Sequence, residues 1–167
     1  MSIKDNFTEE EWRSVLQSPM LAGLAVTAAD PGGLWSALKE GTGLARSVVE
    51  AKSKGAAGTL LGEIGAAYET PEGRRIAQDK VKDMLKGKKP AEVTDAAVTR
   101  LQEIATLVRA KAPQQASAFG DYVRETARRV AEAGTEGGFL GFGGEKVSEA
   151  EKKTLADIDR ALGGTSV

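Results

Sequence analysis

The chain contains no cysteine and no histidine. Without cysteine there is no disulfide, no thiolate metal site and no thiol nucleophile, and the composition fits a reducing compartment. Without histidine the commonest general base and metal ligand is gone. Ser-His-Asp triads, His-bearing zinc sites and Glu-x-x-His di-iron sites are therefore excluded. Aromatics make up 5% of the sequence, so the core has to be built from many thin contacts, with few large anchors. Those anchors are Phe7, Trp12, Trp35, Tyr68, Phe119, Tyr122, Phe139 and Phe142. No long apolar run is present either. The least polar stretch, Pro19 to Ala29, is about eleven residues against the roughly 20 of a membrane span, and reads as a buried core helix. The opening residues Met1 to Asn6 are polar and lack the apolar run of a signal peptide. A soluble, cytoplasmic protein without a transmembrane segment is expected.

What is present points to helix. At 167 residues the chain has the length of one ordinary domain, 1–167, with 163–167 frayed. Thr8 and Glu11 form a capping box, and Phe7 and Trp12 occupy the two positions of a hydrophobic staple, so a helix runs from about Glu9 to Gln17. Ser18-Pro19 and Asp30-Pro31 each combine a cap with a proline at the first helical position. Leu34, Leu38, Ala45, Val48 and Val49 line one side of the helix begun at Pro31. Thr59 to Tyr68 reads as a short apolar helix. Thr70-Pro71 caps another, about Glu72 to Lys86, with Ile76, Ala77, Val81, Met84 and Leu85 inward and Gly87 as its stop.

Pro90 opens the most regular pattern. Ala97, Leu101, Ile104 and Val108 are spaced as the stripe of a bundle helix. Pro113 ends that helix and begins the next, whose stripe is Ala116, Phe119, Val123, Ala127 and Val130. Two long antiparallel helices forming a hairpin are expected. Residues 134–146 contain six glycines in thirteen positions. Ser148 and Glu151 then form a second capping box ahead of a helix lined by Leu155, Ile158 and Leu162 and closed by Gly163. The expectation is an all-α, irregular bundle of about seven helices, with a long central helical hairpin and a Gly-rich loop before the last helix.

Four features carry chemistry worth weighing. The Gly-rich loop lacks the Gly-Lys-Ser/Thr ending of a P-loop and follows a helix, so it does not match a nucleotide fingerprint. Phe139, Leu140 and Phe142 either tuck into the bundle, the favoured reading, or form an exposed patch that docks on a partner or a membrane surface, with phosphate binding by the loop's backbone amides as a third reading. The second feature is a local concentration of charge. Residues 74–89 hold seven basic and two acidic side chains in a protein of net charge −1. Helical spacing places Arg75, Lys82, Lys86 and Lys89 along one side as a candidate anion site. No aromatic residue is interleaved to stack on bases, so a solvated cationic face is favoured over nucleic acid.

Third come the carboxylates. Asp79 and Asp83 are four apart and suit either a shared cation or intrahelical ion pairs, the latter favoured by the neighbouring lysines. Glu63, within Leu60 to Ala67, is the best candidate for a buried, perturbed carboxylate. Fourth, Ser36 and Lys39 are three apart, but nothing marks a desolvated lysine or an oxyanion hole beside them.

The segments Phe7 to Trp12, Ser18 to Leu24 and Gly137 to Gly144 resemble an uncharacterised family of small bacterial helical proteins, which implies no particular activity. Ala28 to Gly32 and Val147 to Glu151 also resemble pieces of TerB-like tellurite-resistance domains. That resemblance implies an acidic metal site, although Pro31 interrupts the Asp-Gly pair and the second copy lacks its Asp. The residues carry no catalytic constellation. The leading expectation is a non-enzymatic bacterial interaction protein, tied to stress response or the cell envelope, with no cofactor and with a protein partner or self-association. A weak nucleic-acid or anionic-surface binder using residues 74–89 is the first alternative, and a carboxylate-only metal-binding helical domain the second.

Overall fold

The structure is a computed structural model that describes residues 2–29, 55–136 and 147–163. These form an all-α bundle: α1 (Glu9–Leu16), α2 (Ser18–Ala29), α3 (Leu60–Glu69), α4 (Pro71–Leu85), α5 (Pro90–Lys111), α6 (Ala116–Glu136) and α7 (Glu149–Ala161). Short 3₁₀ turns precede α1 at Ile3–Asn6 and join α5 to α6 at Pro113–Gln115. The helix expected from Pro31, the Ser36–Lys39 pair and the Gly-rich loop lie outside the described residues.

Local chemistry sets most of the helix ends. The Thr8 Oγ1 accepts from the Glu11 N–H at 3.2 Å, and the Thr8 N–H donates back to the Glu11 carboxylate at 2.7 Å. That bond to the Thr8 amide holds the Glu11 carboxyl below its ordinary pKa. Phe7, ahead of the helix, and Trp12, within it, pack obliquely across its start, ring centroids 6.1 Å apart. Ser148 and Glu151 repeat the box at α7, and there the glutamate is buried against the chain it caps. Thr59 and Thr70 cap α3 and α4 through the N–H groups of Gly62 and Gly73. Gly87 and Gly163, with φ of 73° and 86°, turn the chain out of helix where a side chain would be strained. Replacing Thr8 or Ser148 by Ala is expected to cost about 1 kcal/mol each in urea unfolding, because a helix-start amide loses its acceptor.

Ser18 departs from its expected role as a cap. It is the first residue of α2, fully buried, and its hydroxyl donates to the Val15 carbonyl at 2.7 Å. The first α2 bond instead runs from the Leu21 N–H to the Gln17 carbonyl, so α2 follows α1 with only Gln17 between them. A connection that short leaves no room for an extended cap residue.

α2 organises the core. It is apolar around its whole circumference, burying Leu21, Ala22, Ala25 and Val26 completely, as a helix surrounded by others must. Its most extensive packing is against α5 and α6. The two long helices touch each other far less than each touches α2. The expected hairpin is therefore a pair of consecutive helices that share α2, not a self-contained unit. The reason lies in small residues: Ala22 and Ala25 let α2 approach both neighbours closely. On α5 the stripe Ala97, Leu101, Ile104 and Val108 is buried as expected, and on α6 Phe119, Val123 and Ala127 are.

Two buried tyrosines differ in one respect. The Tyr68 hydroxyl donates to the Leu16 carbonyl at 2.5 Å, tying α3 to the end of α1. The Tyr122 hydroxyl is equally buried but has no hydrogen-bond partner among the described residues. Burial pushes the pKa of both phenols up. Tyr68→Phe is expected to lose about 1 kcal/mol of stability, the net value of an ordinary hydrogen bond. Tyr122→Phe removes a buried hydroxyl that has no well-formed hydrogen bond among the described residues, and is expected to be neutral or stabilising, by up to about 1–2 kcal/mol. Chemical unfolding of the two single variants separates these outcomes.

Candidate functional site

The residues singled out in the sequence do not assemble into one site. In α4, Arg75 pairs with Asp79 at 3.5 Å, and at its C-terminal end the capping residue Lys86 pairs with Asp83 at 2.9 Å. The Asp83 carboxylate raises the Lys86 pKa through that contact. Both aspartates thus form the intrahelical pairs their spacing favours. Arg74 donates to the carbonyls of Tyr68 and Glu69 at 2.7 and 2.9 Å, closing the C-terminus of α3. Lys82 is exposed on α4. Lys89 does not share that helix: the turn at Gly87 carries it to the start of α5, where its N–H donates to Glu92 at 2.7 Å. The basic face is thus shorter than helical spacing predicted and partly neutralised. Any affinity for nucleic acid is expected to be weak at physiological salt. The triple replacement of Arg75, Lys82 and Lys86 by Gln should flatten whatever salt slope a DNA titration shows.

Glu63 is half-buried, and its carboxylate accepts from the Ser2 hydroxyl at 2.6 Å, so it anchors the N-terminal turn to α3. Glu151, part of the segment resembling TerB-like domains, directs its carboxylate to the Ser148 amide. Among the described residues no group of three or more acidic side chains is placed to hold a metal ion, and no helix is long and apolar enough to cross a membrane. Phe139, Leu140 and Phe142 lie outside the described residues.

A different place in the fold offers a site. Between α5, α6 and the end of α7 lies a half-open cleft of about 400 Å³, within the size range of ligand sites. Ala105, Phe119 and Leu162 stand behind it, almost wholly buried, and Arg109 and Arg124 line it with charge. Arg109 stands in the last turn of α5, where a cation is favoured by the helix dipole. Its Nη1 donates to the Leu162 carbonyl at 3.3 Å, covering an orphan acceptor at the end of α7, and its Nη2 donates to the Thr106 hydroxyl at 3.2 Å. Arg124 reaches from α6 to α7: Nε donates to Asp159 at 2.5 Å and Nη1 to Asp121 at 3.1 Å.

Two glycines make room for these guanidinium groups. A Cβ at Gly120 would stand 3.1 Å from the Arg124 Nη1, and one at Gly163 would stand 3.1 Å from the Arg109 Nη1. Each arginine thus lies over a bare Cα. The two arginines and two aspartates sum to zero net charge but are unevenly paired. Arg124 faces two aspartates, one of which, Asp159, sits partly covered beside it, while Arg109 has no carboxylate partner among the described residues.

Neither arginine stood out in the sequence. The signal that could have marked the site is Gly120, the fifth residue of α6, placed there at a cost of about 1 kcal/mol relative to Ala and one turn before Arg124. Comparison with protein-family models, with curated proteins and with solved structures finds no match to this chain.

Proposed function

We propose that the chain is a non-enzymatic interaction protein of the bacterial cytoplasm that holds an acidic group of a protein partner in the Arg109–Arg124 cleft. The observation that supports this reading is the state of the two guanidinium groups. Both are fixed by hydrogen bonds to the fold, yet both still line a half-open cleft. Donors immobilised in advance lose little entropy when a ligand arrives, which favours binding. The carboxylates nearest to hand, Asp121 and Asp159, are occupied by Arg124 and so poorly placed for acid–base work. The cysteine-free composition suits the proposed compartment.

The test uses Ser117, an exposed residue at the cleft. A photo-crosslinking amino acid in its place, irradiated in host cells, is expected to capture a discrete protein identified by mass spectrometry. Charge reversal by Arg109→Glu should abolish the capture. Crosslinks to nucleic acid alone, or crosslinks indifferent to Arg109→Glu, would overturn the reading.

A further inference from the structure

We propose that the elbow between α4 and α5 docks on the surface of an anionic lipid bilayer through Lys82, Lys86, Lys88 and Lys89. Residues 80–92 hold five lysines against Asp83 and Glu92, so this short stretch carries +3 in a protein of net charge −1, leaving −4 for the rest. Lys82, Lys86, Lys88 and Lys89 are all exposed. Lys86 is paired with Asp83, whereas Lys82, Lys88 and Lys89 have no carboxylate partner among the described residues. The turn that carries them stands clear of the bundle: a Cβ on Gly87 would meet no atom of the described residues within 4 Å.

Helix stability accounts for only part of this cluster. Cations at the C-terminal end of α4 are favoured by the helix dipole, which explains Lys82 and Lys86. Lys88 and Lys89 stand at the start of α5, where the same effect disfavours positive charge. Lys89 also holds the N-cap position, where Ser, Thr, Asp or Asn would offer the first amides an acceptor, and an ammonium has none to offer. Two lysines that work against the helix they precede point to a use outside it.

The kind of cation and its setting select the partner. Arg75 is paired with Asp79 and Arg74 is held on the carbonyls of Tyr68 and Glu69, so the free cations of the elbow are lysines. Lysine is a compact point charge on a flexible stem and lacks the rigid fork with which arginine grips one phosphate or base edge. Such charges suit a surface bearing many diffuse negative charges. They gather on a projecting turn, and no aromatic is interleaved among them, so the elbow forms neither a major-groove helix nor a base-stacking platform. A bilayer surface is flat and needs no matching groove. Clusters of four or more lysines are drawn to it by the negative potential of its anionic lipids. The same potential repels the acidic remainder of the chain, which turns the elbow toward the lipid.

The test is co-sedimentation of the full chain with large unilamellar vesicles, one set of phosphatidylcholine alone and one of phosphatidylcholine and phosphatidylglycerol in equal parts. Binding is expected to the second set only, and to fall as salt rises. Each lysine removed from the elbow should weaken it about fivefold, so Lys82→Gln combined with Lys88→Gln should weaken it at least about tenfold. Arg128→Gln combined with Lys153→Gln removes the same charge from exposed positions on α6 and α7 and should change it less than about twofold. In NMR spectra of the parent chain, the amide signals of residues 82–91 are expected to broaden first as the anionic vesicles are added, which locates the contact even if a variant fails to fold. Equal binding to both sets of vesicles, equal losses in the two double variants, broadening that maps elsewhere, or no binding at low salt would overturn the inference. Tighter binding to a DNA duplex than to the anionic vesicles at the same salt would also overturn it, and would assign the elbow to nucleic acid.

Discussion

Replacing Phe119 by Ala is expected to destabilise the protein by about 3–5 kcal/mol, the usual cost of truncating a buried aromatic. Phe119 is 1% exposed, the largest fully buried side chain among the described residues. In a chain with so few aromatics its loss has few compensations. It stands on α6, one of the two helices most extensively packed against α2, and it also backs the Arg109–Arg124 cleft. The substitution should therefore act twice, lowering the urea midpoint and enlarging the cleft. Most of the cost is packing, because neighbouring alanines are too short to collapse into the space. Phe119→Leu keeps more of the volume and should cost clearly less. Unfolding curves for the two variants provide the check. A near-neutral Phe119→Ala would mean that α6 is not seated on the core as described.

The second large effect is expected on α5. Leu101 and Ile104 are 0% and 1% exposed on the face that meets α2 and α7, whereas Gln102 is exposed. Leu101→Ala and Ile104→Ala should each cost about 2–5 kcal/mol, through lost apolar burial and an incompletely filled cavity. Gln102→Ala should stay within about 0.5 kcal/mol of the parent, since it removes a solvated side chain from a helix and replaces it with a better helix former. The contrast between positions 101 and 102 makes the test sharp: a rotation of α5 by one residue would interchange their burial. Equal effects at both positions would rule out the described face.

Much of the helical architecture was legible because its causes are local. Thr8 with Glu11, Ser148 with Glu151, and Thr70 with Pro71 act over three residues or fewer, and the structure places each where its spacing requires. The apolar stripe of α5 was equally legible, since a period near 3.6 has few readings other than a helix with one buried face. The intrahelical pairs of Arg75 with Asp79 and Lys86 with Asp83 belong to the same class. Ser18 was misread because a serine ahead of a proline has the same local appearance whether it caps a helix or opens one. The choice there depended on how closely α2 had to follow α1. Lys89 was misplaced because helical spacing was carried through Gly87, whose positive φ turns the chain away.

The cleft was not legible, and the reason is distance along the chain. Arg109 meets Leu162 across 53 positions, and Arg124 meets Asp159 across 35. On α5 and α6 taken singly, each arginine is one more solvated cation among several. Only the packing of α7 against both helices puts the two guanidinium groups on one cleft and leaves one of them without a carboxylate among the described residues. The sequence by itself determined that this chain is helical, where most of its helices begin and end, and which chemistries the missing cysteine and histidine exclude. These follow from hydrogen-bond satisfaction and side-chain periodicity over a few residues. Tertiary structure alone decided that α2 rather than a hairpin holds the long helices together, and which charges face a shared space, because burial and charge balance depend on neighbours that the chain brings together only by folding.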